Sequence, residues 1–269
     1  MSEYRLVPMQ ANLIYDHLSE QEINNIDSIN IFPSLTSTTD YFKQREFKSR
    51  NEIAICISEE QTQGRGRIGH QWVSPSGVNL YLSAFWPLLV WGKQYETLSL
   101  RLLIAVAELI EELGFENVQL KWPNDICIQN KKLGGILIER ISSESKDKLV
   151  IGIGINIAMS KHNNLQLDAP WIDLITINPD WTMSRNEFAA RVISSLHQCM
   201  TSFEKNSTNS LASLWKRYDL LNSQNIEFTY QEKRCKGMAH GIDDAGQLVV
   251  EINSNVLHLH SAHVSEITL

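Results

Sequence analysis

The stretch Gly64-Arg65-Gly66-Arg67-Ile68-Gly69, between Gln61 and Trp72, decides the fold. Its letters satisfy GxGxxG, the dinucleotide-binding fingerprint. That fingerprint requires a helix straight after the glycines and an acidic residue about 20 positions on. Here the following residues, Val78 to Trp86 (VNLYLSAFW), read as a strand, and no Asp or Glu stands between Glu60 and Glu96. A doubly wound nucleotide-binding body is therefore excluded. What remains is a loop whose glycines let backbone approach a ligand. Its arginines offer guanidinium forks suited to phosphate and carboxylate oxygens.

Outward from that loop, helices and strands are mixed. Residues 7–25 read as one or two helices, and Ile29, Ile31 and Phe32 as a strand before Pro33. Residues 53–58 (IAICIS) form a buried strand. Leu98, Leu102, Ala105, Leu109 and Leu113 recur at helical spacing within 94–113, with Gly114 just past the end. Residues 117–122 and 125–129 read as strands around a turn, 135–141 and 149–157 as further strands, and 142–148 as a charged loop. Ser184 with Glu187 marks a capping box for a helix over 185–204, and a short helix follows near 210–218. From 224 onward only short strands remain (225–230, 234–240, 247–252, 255–260, 264–268), with Asp243-Asp244-Ala245-Gly246 as a turn. The class is α+β: a mixed sheet backed by helices over 1–222, then a small β domain over 223–269.

Three further motifs bear on chemistry. Lys121-Trp122-Pro123-Asn124-Asp125-Ile126 places two polar side chains in a turn, because Pro123 pushes Trp122 toward extended geometry. Lys132-Leu133-Gly134-Gly135-Ile136-Leu137-Ile138-Glu139 sets a lysine beside paired glycines at the start of a strand, a site of close backbone approach. Gly152-Ile153-Gly154-Ile155-Asn156 removes side chains from one strand face and leaves room there for a ligand. His258, His260 and His263 alternate along a strand and read as solvated residues rather than a metal site.

Composition narrows the class. In 269 residues, 43% are hydrophobic and 20% charged, which suits a globular protein with its own core. The net charge of −7, from 24 basic and 31 acidic residues, disfavours nucleic-acid binding through a broad basic surface. Cys56, Cys127, Cys199 and Cys235 form no CxxC pair and suit a reducing compartment. No leader pattern and no apolar run near the roughly 18 residues that span a bilayer is present. The expectation is a soluble, cytoplasmic protein with no membrane partner.

Together, in order and spacing, GRGRIGHQW, KWPNDI, KLGGILIE and GIGIN make the chain similar to the biotin protein ligases, also called biotin–acetyl-CoA-carboxylase synthetases. The resemblance runs from about Leu35 to Ile157 and continues more weakly beyond. It implies a class II synthetase-like catalytic domain, a mixed sheet backed by helices, followed by a small SH3-like β-barrel. Ser37 and Thr38 match the pair that bonds the ureido ring of biotin; the family usually has Asn where this chain has Thr39. Gln61 matches a glutamine of the biotin pocket. Gly64, Arg65, Gly66 and Arg67 match the loop that closes over biotin and the adenylate, with Arg67 at the phosphate. His70 stands where many members carry Arg or Lys. Trp72 matches the tryptophan that anchors the loop. Lys132 matches the lysine contacting the biotin carboxyl and the α-phosphate, with Gly134, Gly135 and Gly154 around biotin. Asn124 and Asp125 match residues near the Mg²⁺ and the incoming lysine, so Asp125 is the candidate metal ligand. Asn156 and Trp171 are implied on the adenylate side, Trp171 as an adenine-stacking ring.

The resemblance implies ATP and biotin as substrates, Mg²⁺ as cofactor and biotinyl-5′-AMP as intermediate. The acceptor is a lysine of the biotin carboxyl carrier protein of acetyl-CoA carboxylase. Arg67, Lys132 and Asp125 would be the catalytic residues. A homodimer is a state that relatives adopt. The 36 residues before Ser37 resemble a linker, so the expectation is no DNA-binding domain and no repressor role. Two competing readings are a biotin-binding regulator without catalysis, and a lipoate or octanoyl transferase of the same architecture; the latter lack the GRGR and KWPNDI motifs.

Overall fold

The computed structural model describes residues 4–43, 53–87, 97–141, 148–162, 167, 169–204 and 210–268. Its strands are β1 (Ile26–Phe32), β2 (Ile53–Ser58), β3 (Leu80–Pro87), β4 (Val118–Lys121), β5 (Asp125–Ile128), β6 (Lys131–Ile141), β7 (Lys148–Ile155), β8 (Asn225–Tyr230), β9 (Lys233–Ile242), β10 (Leu248–Ile252), β11 (Asn255–Leu259) and β12 (His263–Thr268). Its helices are α1 (Ala11–Tyr15), α2 (Glu20–Asn25), α3 (Thr38–Lys43), α4 (Leu98–Glu112), α5 (Leu174–Ile177), α6 (Arg185–Glu204) and α7 (Leu211–Lys216). The charged loop expected at 142–148 falls almost wholly outside the described residues, as does the start of the helix expected at 94.

The chain gathers into two compact units, Met1–Val90 with Lys131–Gln198, and Trp91–Asn130 with Cys199–Leu269. In the first, β1 pairs parallel to β2, and β2, β3, β7 and β6 follow in antiparallel order. All six residues of β2 are buried, as a β-branched apolar run covered on both faces should be. Phe42 of α3 packs with Ala54, Cys56, Phe85 and Val150, its ring 5.7 Å from that of Phe85. That apolar contact seats α3, and with it Ser37 to Thr39, on the sheet. The register sets Gly154 between Tyr81 and Gly135, and Gly152 between Ser83 and Leu137. Glycines therefore line a strip of one sheet face flanked by Tyr81 and Ser83.

In the second unit, α4 packs on β4, β5 and α7, and α7 on β9. Apolar side chains of α4 such as Leu102, Val106 and Ile110 are fully buried, the result of its helical repeat. The last strands form a five-stranded antiparallel sheet in the order β11-β10-β9-β8-β12. No pair closes β11 onto β12 among the described residues. The turn expected at Asp243 to Gly246 is present: Asp243 Oδ1 accepts from the amides of Ala245 and Gln247. Trp122 donates its indole N–H to the carbonyl of Gly246 at 3.0 Å. This joins the β4–β5 hairpin to the C-terminal strands within one unit.

Candidate active site

A directed chain of hydrogen bonds starts at α3. Ser37, Thr38 and Thr39 are all buried. The backbone amide and the hydroxyl of Thr38 both donate to Gln61 Oε1, at 2.9 and 3.1 Å. Ser83 Oγ donates to Thr38 Oγ1 at 2.8 Å. Gln61 Nε2 donates to Ser74 Oγ at 3.0 Å, and Ser74 donates to the carbonyl of Trp72 at 3.0 Å. Each hydroxyl has one proton to give, so the order Ser83, Thr38, Gln61, Ser74, Trp72 is fixed end to end. Such buried chains polarise one another and hold their members in place. Thr39 joins the same cluster, 3.4 Å from Ser83 Oγ, and an added Cβ at Gly152 would stand 3.1 Å from its hydroxyl. Ser74 and Ser83 escaped the sequence reading; a serine inside the apolar run VNLYLSAFW was the available signal for Ser83.

The glycine loop folds back on itself. Trp72 N donates to Gly64 O at 2.9 Å and Gly66 N to His70 O at 2.7 Å. The tip turns through Ile68 (φ 51°) and Gly69 (φ 76°). A Cβ at Gly64 would lie 2.2 Å from the carbonyl oxygen of Trp72, so only glycine fits the base of the loop. The Trp72 indole rests on Gly154, where an added Cβ would meet ring atoms at 2.5 to 2.7 Å. The alternate-glycine strip is thus the seat of this tryptophan.

Lys132 stands beside that seat, its ammonium 5.1 Å from the Trp72 ring centre, a cation–π distance. Its backbone bridges Trp171: Lys132 N donates to Pro170 O and Ile172 N to Lys132 O, each at 3.0 Å. Asn156 is buried and spends its amide N–H groups on the carbonyls of Lys132 (3.4 Å) and Ile172 (3.2 Å). Asn156 therefore fixes the Lys132 and Trp171 segments to each other. One unit brings together Ser37, Thr38, Gln61, the loop, Trp72, Lys132, Gly134, Gly135, Gly154, Asn156 and Trp171.

The two arginines of the loop fare differently. Arg65 Nη1 lies 2.6 Å from Asp40 Oδ1 and Nη2 3.1 Å from Glu139 Oε1. Lys43 Nζ meets the same two oxygens at 3.2 and 3.0 Å. The guanidinium expected to face a ligand is thus held by protein carboxylates. Burial pushes the Asp40 carboxyl up, but hydrogen bonds and charge from Arg65 and Lys43 prevail and hold it below the ordinary value. Arg67 opens the short 3-10 turn of the loop and is half-buried.

Asn124 and Asp125 belong to the second unit, at the β4–β5 turn, where Asp125 pairs in register with Lys121. Among the described residues no three His, Cys, Asp or Glu side chains gather as metal ligands. His258 and His260 are exposed, and His258 Nδ1 pairs with Asp243 at 2.7 Å. All four cysteines are free thiols. No helix among the described residues is long and apolar enough to cross a membrane.

With a short 3-10 turn and then strand β3 after the glycines, in place of a helix, this fold and site set the protein apart from a dinucleotide-binding enzyme. The Biotin/lipoate A/B protein ligase family matches residues 31–156. The bifunctional ligase/repressor BirA of Escherichia coli is 36% identical over 241 residues, covering 87% of this chain and 73% of that protein. A biotin–[acetyl-CoA-carboxylase] ligase of Mycobacterium tuberculosis is 27% identical over 216 residues, covering 78% and 77%. Among solved structures, a biotin protein ligase from Aquifex aeolicus in complex with biotin and ATP superposes with a TM-score of 0.71 at 24% identity, covering 89% of this chain and 98% of that one. The chain belongs to the biotin/lipoate A/B protein ligase family.

Proposed function

We infer that the protein is a biotin–protein ligase, joining biotin to a lysine of a biotin carrier domain at the expense of ATP. The observation that carries this is the convergence, in one unit, of the Thr38–Gln61 hydroxyl chain, the loop anchored by Trp72 on Gly154, and Lys132. The relatives named for biotin ligation favour it over a non-catalytic regulator and over lipoate or octanoyl transfer.

In the first step a biotin carboxylate oxygen attacks the α-phosphorus of ATP, and pyrophosphate leaves with the electron pair of the broken P–O bond. Both reactants are anions, so Arg67 and Lys132 supply the positive charge that holds them together and stabilises the transition state. Ser37, Thr38 and Gln61 bond the ureido ring. Gly134, Gly135 and Gly154 flank the ligand, Gly154 by seating the Trp72 indole beside it, and Gly64, Arg65 and Gly66 approach it through the loop backbone. Trp72, Trp171, Asn124 and Asn156 belong to the adenylate side, Asn156 acting through the backbone of Lys132. Asp125 is the protein residue that would hold Mg²⁺, which would supply further positive charge to the ATP phosphates.

In the second step the acceptor amine attacks the acyl carbon of biotinyl-5′-AMP; the amide bond forms and AMP leaves with the bridging oxygen. An amine of pKa near 10.4 requires roughly 4–5 kcal/mol to deprotonate at about pH 7. Asp125 orients that amine and takes its proton. The acceptor is the biotin carboxyl carrier protein of acetyl-CoA carboxylase, a choice supported by the acetyl-CoA-carboxylase in the name of the Mycobacterium tuberculosis relative. Exchange of labelled pyrophosphate into ATP tests the first step: the expected result is exchange only with biotin present. Exchange with lipoate or octanoate but not biotin would replace this reading.

A further inference from the structure

Arg65, Asp40, Lys43 and Glu139 form a closed ring of alternating charge. Asp40 Oδ1 and Glu139 Oε1 each touch both cations, at distances from 2.6 to 3.2 Å. The members come from three parts of the site. Asp40 and Lys43 lie on α3, directly after Thr38 and Thr39. Glu139 lies on β6, the strand that carries Lys132, Gly134 and Gly135. Arg65 belongs to the glycine loop.

The ring is partly exposed, with side-chain accessibilities of 40% for Arg65, 33% for Lys43, 28% for Asp40 and 20% for Glu139. Ion pairs so placed add little to fold stability and are screened by salt. Arg65 is also neutralised by its partners, so its charge is directed to protein rather than to ligand. A contact that is weak for folding yet spans the loop, the pocket helix and the Lys132 strand has the properties of a reversible latch.

We propose that Asp40 and Glu139 are positioning residues for ligation: through Arg65 they hold the glycine loop against α3 and β6, so that the acyl-adenylate stays covered until the acceptor lysine arrives. The proposal rests on the ligase reading above.

The test uses the full chain and its Asp40→Asn/Glu139→Gln variant, with biotin and MgATP. Three quantities are read: melting temperature, biotin-dependent pyrophosphate exchange, and the rate at which biotinyl-AMP appears free in solution without acceptor. The expected result is an unchanged melting temperature and exchange within about twofold of wild type, with release faster by about two- to fivefold, the span that exposed charge pairs supply. Release by the wild type should rise toward the variant's rate as salt goes from about 0.05 to about 0.5 M, and the variant should respond less. Arg65→Asp should release fastest, and adding Asp40→Arg should restore at least half of the lost retention. Unchanged release in the double variant overturns the latch, as does a parallel fall in melting temperature, exchange and retention, which a merely structural role would give. A wild type that makes no biotinyl-AMP overturns the ligase reading itself, and the latch with it.

Discussion

The floor of the site and its rim are built from opposite materials. The floor is a chain of neutral, buried to part-buried hydrogen bonds through Ser83, Thr38, Gln61 and Ser74. The rim is a set of charges: Lys132 over Trp72, and Arg65 among Asp40, Lys43 and Glu139. A buried donor that loses its partner carries a desolvation penalty of about 1–3 kcal/mol, so the floor tolerates little change. An exposed ion pair is worth about 0–1 kcal/mol, so the rim can open and close at small cost. On the proposed function, the difference divides labour between recognition of a neutral ring below and control of anions and of loop position above.

Lys132→Ala attacks the rim where charge meets chemistry. It should lower biotin-dependent pyrophosphate exchange by about 10²–10³-fold, the range for losing one transition-state donor, with an unchanged melting temperature. Exchange at the wild-type rate would remove Lys132 from the reaction. Gly154→Ala probes the junction of rim and floor. The new methyl would stand 2.5 Å from the indole of Trp72, which is tethered by its own backbone to Gly64. Displacing the loop by an ångström should reduce kcat/KM on the order of 100-fold. The backbone there is not in the left-handed region, so a mild effect would mean that Trp72 has another seat.

Gln61→Leu cuts the floor, leaving the Thr38 amide and hydroxyl without their acceptor. The expected change is about a tenfold or greater weakening of biotin binding that is indifferent to salt, measured by calorimetry at low and high ionic strength. A salt-dependent loss would erase the contrast between floor and rim.

Asp219→Asn lies outside both regions and is the control. Burial raises the Asp219 carboxyl to about 6, against the lowering bond from the Leu221 amide. A folded-state value above the unfolded one means that the native protein binds the proton more tightly. Stability therefore falls as pH rises from about 4 to about 6. The variant should be more stable by about 1–2 kcal/mol above about pH 7, gain nothing below about pH 4, and leave exchange unaltered. Thermal melts across that range give the answer.

Much of this molecule was legible in the chain because it depends on local chemistry. Glycine spacing revealed the loop and the strip, the apolar repeats revealed α4 and β2, and Asp243 to Gly246 revealed a turn. Lys132 and Trp171 were singled out separately, and the β-bridge between them gives both choices a common place. The parts that stayed hidden depend on distance in sequence. Asp40 and Glu139 are ordinary surface acids until Arg65, 25 residues from Asp40, reaches both. Nothing in the local sequence marks Asn79 or Arg185, yet Asn79 Oδ1 accepts from the Ile157 amide and Arg185 bonds Glu59 and the carbonyls of Val7 and Asn79. The grouping of residues 91–130 with 199–269 was equally out of reach, since polarity along a chain reveals only cuts between neighbours.

The central claim is that this site makes an acyl-adenylate and passes it to one lysine. Intact-mass spectrometry of a purified biotin carrier domain, incubated with the protein, biotin and MgATP, tests it most directly. The account predicts one biotinyl increment that requires ATP and is lost when the acceptor lysine is replaced by alanine. An unmodified carrier, with a protein that still binds biotin, would contradict it.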